Sequence, residues 1–491
     1  MSDASETRPP NPGRRQFCAG FAATVLMLPA PAGARDRQRD GQGNGQEKKG
    51  DEDGPSKANA PVRLRAAPGK LRLKPEPAAE TATLAFNSRI PGPLLRAPQG
   101  ARLSLELTND LDEPLSLHWH GAGAPNVLDG VAGLTSPAIA PGETRASGFE
   151  ARHAGLFWYR PMRIGAVGRQ TGSGLHGALI VDEPEPPTVA KDMLLTLDDW
   201  ALTGDAQLRP DFDTVAARAG AGRLGNWLTL NGAAPPQQVS VAPGSRLRLR
   251  LLNAANARTF ALQFSGLAVH VIGVDGRPSA VFAPARDSLT LLPGGRYDLI
   301  VEAPARPGAG GALQARLGDV GAPLLVVTTT DAPRAEAAPP VTALPAGDLP
   351  PAIRLQDSVR AALVIAGGAT PGAPETGARF TDPARIWTIN GVSWPDVAKK
   401  PAFSVRQGRP VTLELKNATP WMQVLHIHGH HVRRLHNLDD GWEPYWLDVI
   451  AIPANQTSRV AFVAGERDKW LIGSSIAERL DGGMATWFEV T

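Results

Sequence analysis

Cysteine is nearly missing from this chain: Cys18 is the only one among 491 residues. It follows an arginine pair inside an N-terminal apolar segment, too early in that run to serve as a lipid-attachment site. Once the segment is removed, no disulfide can form and no thiolate is available to a metal. Lysine-rich helical stretches are scarce, which disfavours a helical bundle. A strong excess of one charge is also missing. The formal net charge is +3 with dispersed basic residues, so nothing points to nucleic acid. The apolar run after Phe17 has about 12 residues, short of the roughly 20 needed to span a bilayer.

What is present begins with Gly13-Arg14-Arg15-Gln16-Phe17, an apolar run through Leu28, and Ala32-Gly33-Ala34, which has the form of a signal-peptidase site. This predicts a twin-arginine export signal over residues 1–34, a periplasmic protein, and no transmembrane anchor after cleavage. Residues 35–60 are rich in Gly, Gln and mixed charge without apolar periodicity, and read as a disordered tether. The remainder is long enough for about three domains at the usual scale of roughly 100–200 residues each.

One pattern recurs there: Gly100-Ala-Arg-Leu-Ser-Leu-Glu-Leu-Thr-Asn109, Gly244-Ser-Arg-Leu-Arg-Leu-Arg-Leu-Leu-Asn253 and Gly408-Arg-Pro-Val-Thr-Leu-Glu-Leu-Lys-Asn417. A turn glycine, polar/apolar alternation and a terminal Asn make each a half-buried strand. Three copies imply three related all-β domains, suited to β-sandwiches or Greek-key barrels. Asp182-Glu-Pro-Glu-Pro-Pro187 and the Ala/Pro stretch from Ala332 to Pro351 punctuate them, giving domains at 61–186, 187–335 and 336–491. Gly367 to Gly377 reads as a surface loop.

Two His-x-His pairs stand out, His118/His120 in the first domain and His426/His428 in the last. On a strand, residues two apart share a face, so each pair presents two imidazoles side by side. Four imidazoles suit copper or zinc, whereas a lone pair would read more simply as ordinary strand histidines.

The surroundings of these pairs resemble the multicopper oxidase superfamily. Leu117-His-Trp-His-Gly121, with Pro125-Asn-Val-Leu-Asp-Gly-Val-Ala-Gly-Leu-Thr135, is similar to that family's first copper motif, and His426-Ile-His-Gly-His430 to its third. Ala154-Gly-Leu-Phe-Trp-Tyr159, Gly174-Leu-His-Gly-Ala-Leu-Ile-Val181 and the tail from Trp470 to Met484 follow in family order. The resemblance runs from about Leu64 to the C-terminus and implies three cupredoxin domains.

It also implies losses. Where relatives place the second motif's histidines, this chain has Arg160 and Met162. Their blue-copper histidine ahead of the third motif is Gln423 here, and the final His-Cys-His-x-x-x-His-x-x-x-x-Met motif becomes Gly473, Ser474, Ser475, Arg479 and Met484. Only the axial methionine survives, so no blue copper is expected. His118 and His426 match the family's type 2 copper ligands. His120 and His428 match two of six ligands of the coupled copper pair. The candidate metal residues are thus His118, His120, His426 and His428, for one type 2-like copper. Met162 reads as a core methionine beside Trp158, with thioether ligation of Cu(I) as the alternative. Trp119, Trp158, Trp470 and Trp487 read as core, His430 as a residue behind the ligands, and His431 as exposed.

Three functions compete. The resemblance extends to the copper-free SufI-type branch, which implies a non-oxidase that binds an envelope protein and supports cell division, its oligomeric state left open. The second is a copper-binding protein or oxidoreductase with a mononuclear site at His118/His426. The third, an intact laccase-type oxidase, requires ligands this chain lacks. A guanidinium about 5 Å from a divalent ion repels it by roughly 6–7 kcal/mol at an effective dielectric near 20, which makes the placement of Arg160 decisive.

Overall fold

A computed structural model describes residues 61–491 apart from 318–319, 373–379, 395, 397–399 and 437–440. The export segment, the tether and part of the Gly367–Gly377 loop lie outside the described residues.

Strands dominate and fall into three double-sheet units in chain order. The first pairs a four-stranded sheet holding Val62–Leu71 and Arg102–Asn109 with another four-stranded sheet holding Leu117–His120 and Gly155–Pro161. The second pairs sheets of six and five strands, and the third two sheets of five. Each unit has its own core, gathered around Leu105 and Phe149, Leu249 and Phe264, and Leu413 and Phe462.

The recurring sequence frame has one structural meaning in all three units. Its strand pairs in parallel with the unit's first strand: Leu64 with Leu107, Leu195 with Leu251, and Leu363 with Leu415. Its glycine adopts a positive φ (82°, 73° and 78°), which favours a residue without Cβ at the entry turn. Its asparagine is a buried latch. The amide of Asn109 donates to Glu113 and Ile139 carbonyls, that of Asn253 to Arg258 and Leu291, and that of Asn417 to Trp421 and Ile452. Its side-chain oxygen accepts from the backbone N–H two residues on in each case.

The middle copy departs from the half-buried expectation. In Arg246–Asn253 the arginine face is buried too, because Arg248 Nε meets Asp298 Oδ1 at 2.9 Å and Arg248 Nη1 meets Glu183 Oε2 at 3.0 Å. Arg250 Nε meets Asp192 Oδ1 at 2.9 Å. Glu183 lies in the first acidic connector, so that stretch is tied down by charge.

Candidate metal centre

Both histidine strands issue from the same latch. His118 and His426 each lie nine positions beyond their asparagine, on the strands Leu117–His120 and Gln423–Ile427. In the middle unit the same offset carries Leu262, with Phe264 two further on, and both are core residues. The fold therefore offers three equivalent arms, of which two carry imidazoles.

The first and last arms converge. His118, His426 and His428 are buried and bring one ligand nitrogen each within 4.8 Å of one another. The His118 and His426 Nε2 atoms stand 3.1 Å apart. With metal–imidazole bonds of roughly 2.0 Å, that spacing subtends about 100° at an ion. The Nδ1 of His118 lies 2.8 Å from the Asp129 carbonyl, and that of His426 2.8 Å from the Asp448 carbonyl. Each Nδ1–H is thereby assigned as the donor, leaving Nε2 as the lone-pair nitrogen. The two Nε2 atoms then face each other at a spacing that one shared cation can bridge.

Asp129 organises the cluster from behind. Its carboxylate oxygens lie 3.0 and 2.9 Å from His428 Nδ1, and Oδ1 lies 3.1 Å from His118 Nδ1. Burial alone would raise its carboxyl pKa, but the His428 and His118 rings outweigh that and hold it well below the usual carboxylate range. The next residue, Gly130, has φ +77°, and a Cβ there would lie 2.0 Å from the Leu117 carbonyl oxygen, so only glycine lets this loop pass beneath the histidine strand. Asp448 is fixed by Arg296 of the middle unit, whose Nη1 and Nη2 reach its carboxylate at 3.0 and 2.7 Å.

Burial pushes the His120 and His426 rings well below the ordinary imidazole range, reinforced by neighbouring rings and, at His120, by Arg160. Burial takes His428 down to about 4 against the pull of Asp129. His426 and His428 are therefore neutral near pH 7. A cavity of about 300 Å³, lined in part by Arg277, His153 and Asp348, reaches His426 and offers a path from solvent.

His120 lies beside the other three, 4.4 Å from His118 and 4.6 Å from His426 between ring centroids, but its Nε2 is engaged elsewhere. Arg160 pairs across the sheet from His118, and its Nε–H donates to His120 Nε2 at 3.0 Å. His120 stacks on Trp158 with ring centroids 4.5 Å apart, and the Arg160 guanidinium lies over the same indole at 4.9 Å. Arg160 is buried, and among the described residues its guanidinium hydrogen-bonds to no carboxylate. Burial lowers its pKa to about 10, opposed by Asp481 and Glu478. Met162 packs with Val131, Val167 and Leu480 in an apolar cluster.

Three of the four positions that relatives use for blue copper, Gln423, Ser474 and Arg479, hold hydrogen-bonded polar residues. Arg479 Nη1 donates to Gln423 Oε1 and to the Met422 carbonyl, both at 2.7 Å, and Arg479 Nε donates to Gly220 at 3.1 Å. Its guanidinium lies over Trp387 at 5.1 Å. Met484 is buried in the core.

Several residues escaped the sequence reading. Asp129 is one, although it sits inside a motif quoted above and next to a glycine. Glu478 and Asp481 are others: burial raises their carboxyls to about 7 and about 6. Glu478 accepts from Asn256 Nδ2 at 2.6 Å, and Asp481 accepts from the backbone N–H groups of Gly165, Val167 and Gly168. His430 is a backbone strut, accepting from Gly465 N–H at Nε2 and placing Nδ1 2.8 Å from the His428 carbonyl. His431, expected to be exposed, is buried, because its loop packs on the middle unit with Nε2 3.3 Å from the Asp275 carbonyl. The four tryptophans are core residues as expected.

Comparison with known proteins agrees with this architecture. Three multicopper oxidase family models match residues 69–186, 191–309 and 370–491. The chain is 28% identical over 444 residues to the multicopper oxidase MmcO of Mycobacterium tuberculosis, with 82% of each chain covered. It is 30% identical over 266 residues to a copper resistance protein A homolog of Pseudomonas syringae pv. tomato, covering 45% of this chain and 44% of that one. Among solved structures it resembles a multi-copper oxidase from Pseudomonas thermotolerans, with a TM-score of 0.76, 26% identity, and coverage of 88% of this chain and 99% of that one.

Proposed function

Because this chain belongs to the multicopper oxidase superfamily and has its cupredoxin-domain fold, we propose that it is an exported copper-binding protein holding one ion at His118, His426 and His428, without the oxidase's electron-transfer route. The observation that carries this reading is the approach of the two Nε2 atoms to 3.1 Å, with each ring's Nδ1 facing a backbone carbonyl behind it. When bound, copper supplies one-electron redox chemistry and Lewis acidity. The chain's own residues bury the ligands, orient them through Asp129 and Asp448, and admit solvent along the cavity at His426.

The blue-copper route lacks support on chemical grounds: a thiolate gives that site its electronic character, and Ser474 with Gln423 and Arg479 supplies none. Periplasmic location is part of the proposal and rests on the arginine-pair leader. The domain limits 61–186, 187–335 and 336–491 are likewise proposed, from the Asp182–Pro187 and Ala332–Pro351 connectors.

A second reading, a copper-independent scaffold that binds an envelope protein, is favoured by a different observation. Arg160 and Arg479 place guanidiniums in interior positions that relatives give to copper ligands, so cationic charge is already present there.

The test is to fold the full chain with copper and measure metal per chain, visible absorbance, spin resonance and oxygen uptake. One copper, lost in His118→Ala and in His426→Ala, supports the main reading. An intense blue band with oxygen consumption overturns it. No bound metal, with a reproducible envelope partner recovered by crosslinking, supports the scaffold.

A further inference from the structure

We propose that Arg160 makes the three-imidazole centre selective for cuprous over cupric ion. This rests on the copper-binding reading above and names the form of copper that the site takes.

Two properties of one side chain lead to it. First, Arg160 Nε–H occupies the Nε2 lone pair of His120 at 3.0 Å, and His120 Nδ1 has no hydrogen-bond partner among the described residues. The ring's proton is therefore assigned to Nδ1, and its single lone pair is already taken. Although His120 lies only 4.6 Å from His426 between ring centroids, it is withheld as a ligand. Three imidazoles remain, those of His118, His426 and His428, while Met162 packs in its apolar cluster. Cupric ion prefers a tetragonal set of four or more ligands, whereas a low-coordinate nitrogen site accommodates cuprous ion.

Second, the guanidinium is a buried positive charge beside the cluster, and its Nη2 has no hydrogen-bond partner among the described residues. It repels a divalent ion twice as strongly as a monovalent one at the same distance. Asp129 offsets positive charge from behind the rings, and Asp481 and Glu478 act on Arg160 in the same sense. Whichever ion is bound, these carboxylates are common to both, and a cupric ion adds one more positive charge than a cuprous ion. At a separation of about 6 Å and an effective dielectric near 20, the guanidinium alone changes the cuprous-to-cupric affinity ratio by on the order of a hundredfold.

The experiment uses the full chain stripped of metal. Cuprous ion is titrated without oxygen against bicinchoninate, cupric ion against nitrilotriacetate, and the copper potential is measured directly. We expect cuprous ion to be held at least about a hundredfold more tightly. Arg160→Met should lower the ratio by about a hundredfold and the potential by about 120 mV, while Arg160→Lys, which keeps the charge, should restore most of both. Copper binding with an unchanged ratio in Arg160→Met overturns the role of Arg160 and leaves the copper site intact. If Arg160→Met does not fold, a wild-type chain that holds cupric ion as tightly as cuprous overturns the proposal by itself. Binding of neither ion by the wild type overturns the copper-binding reading from which it starts.

Discussion

The Nε2 atoms of His118 and His426 meet at 3.1 Å although 308 positions separate the residues in sequence. Their Nδ1 atoms face the carbonyls of Asp129 and Asp448, so neither ring can turn its lone pair away without losing a buried hydrogen bond. A three-ligand centre makes a different prediction from a four-ligand one. Replacing His118, His426 or His428 by Ala should abolish stoichiometric copper, whereas His120→Ala should retain it, as measured by metal per purified chain. Loss of copper in His120→Ala would restore the four-imidazole expectation.

Asp129 touches no ligand nitrogen that faces the metal, yet it braces two of the rings. Carboxylates in this position commonly contribute 10–100-fold to metal affinity. Asp129→Asn should weaken copper binding by about that factor while leaving one ion per chain at saturation. A competition titration reads this directly, and an unchanged dissociation constant would refute it.

Ser474→Cys alone should not create a blue copper centre. Arg479 holds Gln423 at 2.7 Å, and two imidazoles are needed beside the thiolate. An intense visible band should appear only when Gln423→His and Arg479→His accompany it. A blue single variant would show that the Arg479 network yields to metal.

Glu478 makes the fold sensitive to alkaline pH. Burial raises its folded-state pKa from 4.5 to about 7, so its contribution to stability is fully present below about 4.5 and is lost as pH rises through 7. Glu478→Gln keeps an oxygen that can accept from Asn256. Its stability relative to the wild type should therefore improve between pH 5 and pH 8.5, by at most about 3 kcal/mol. Denaturant midpoints at the two pH values check this. A variant whose relative stability is the same at both would mean that the carboxyl titrates normally.

The latch asparagines are the repeat's structural signature. Asn417→Ala leaves the Trp421 and Ile452 carbonyls without their amide donor, and should cost about 2–4 kcal/mol in chemical denaturation. A loss below about 1 kcal/mol would make the shared Asn incidental to the fold.

These latches also show why the fold was legible in the sequence. The Gly-to-Asn frame is largely local, since the glycine's turn, the alternation and one amide bond of each asparagine lie within a short stretch, while the other bond reaches a carbonyl 30, 38 or 35 positions on. The histidine pairs were legible because the period of two on a strand fixes their common face. Arg160 was flagged by position, but its contact with His120 depends on cross-strand register, which spacing does not reveal. Asp129, Glu478 and Asp481 were missed for a related reason. Each is an ordinary acidic residue until another unit packs over it, as the last does on the first at Asp481 and Gly168. The expectation of an exposed His431 fails on the same ground, because the middle unit buries it.

The buried Arg296–Asp448 pair joins the unit without a histidine arm to the carbonyl that orients His426. Metal uptake should then report on assembly order. A refolding intermediate with every sheet formed but its units not yet docked would give a native-like far-ultraviolet spectrum and remain silent to copper. The ion would be a probe of the last docking event.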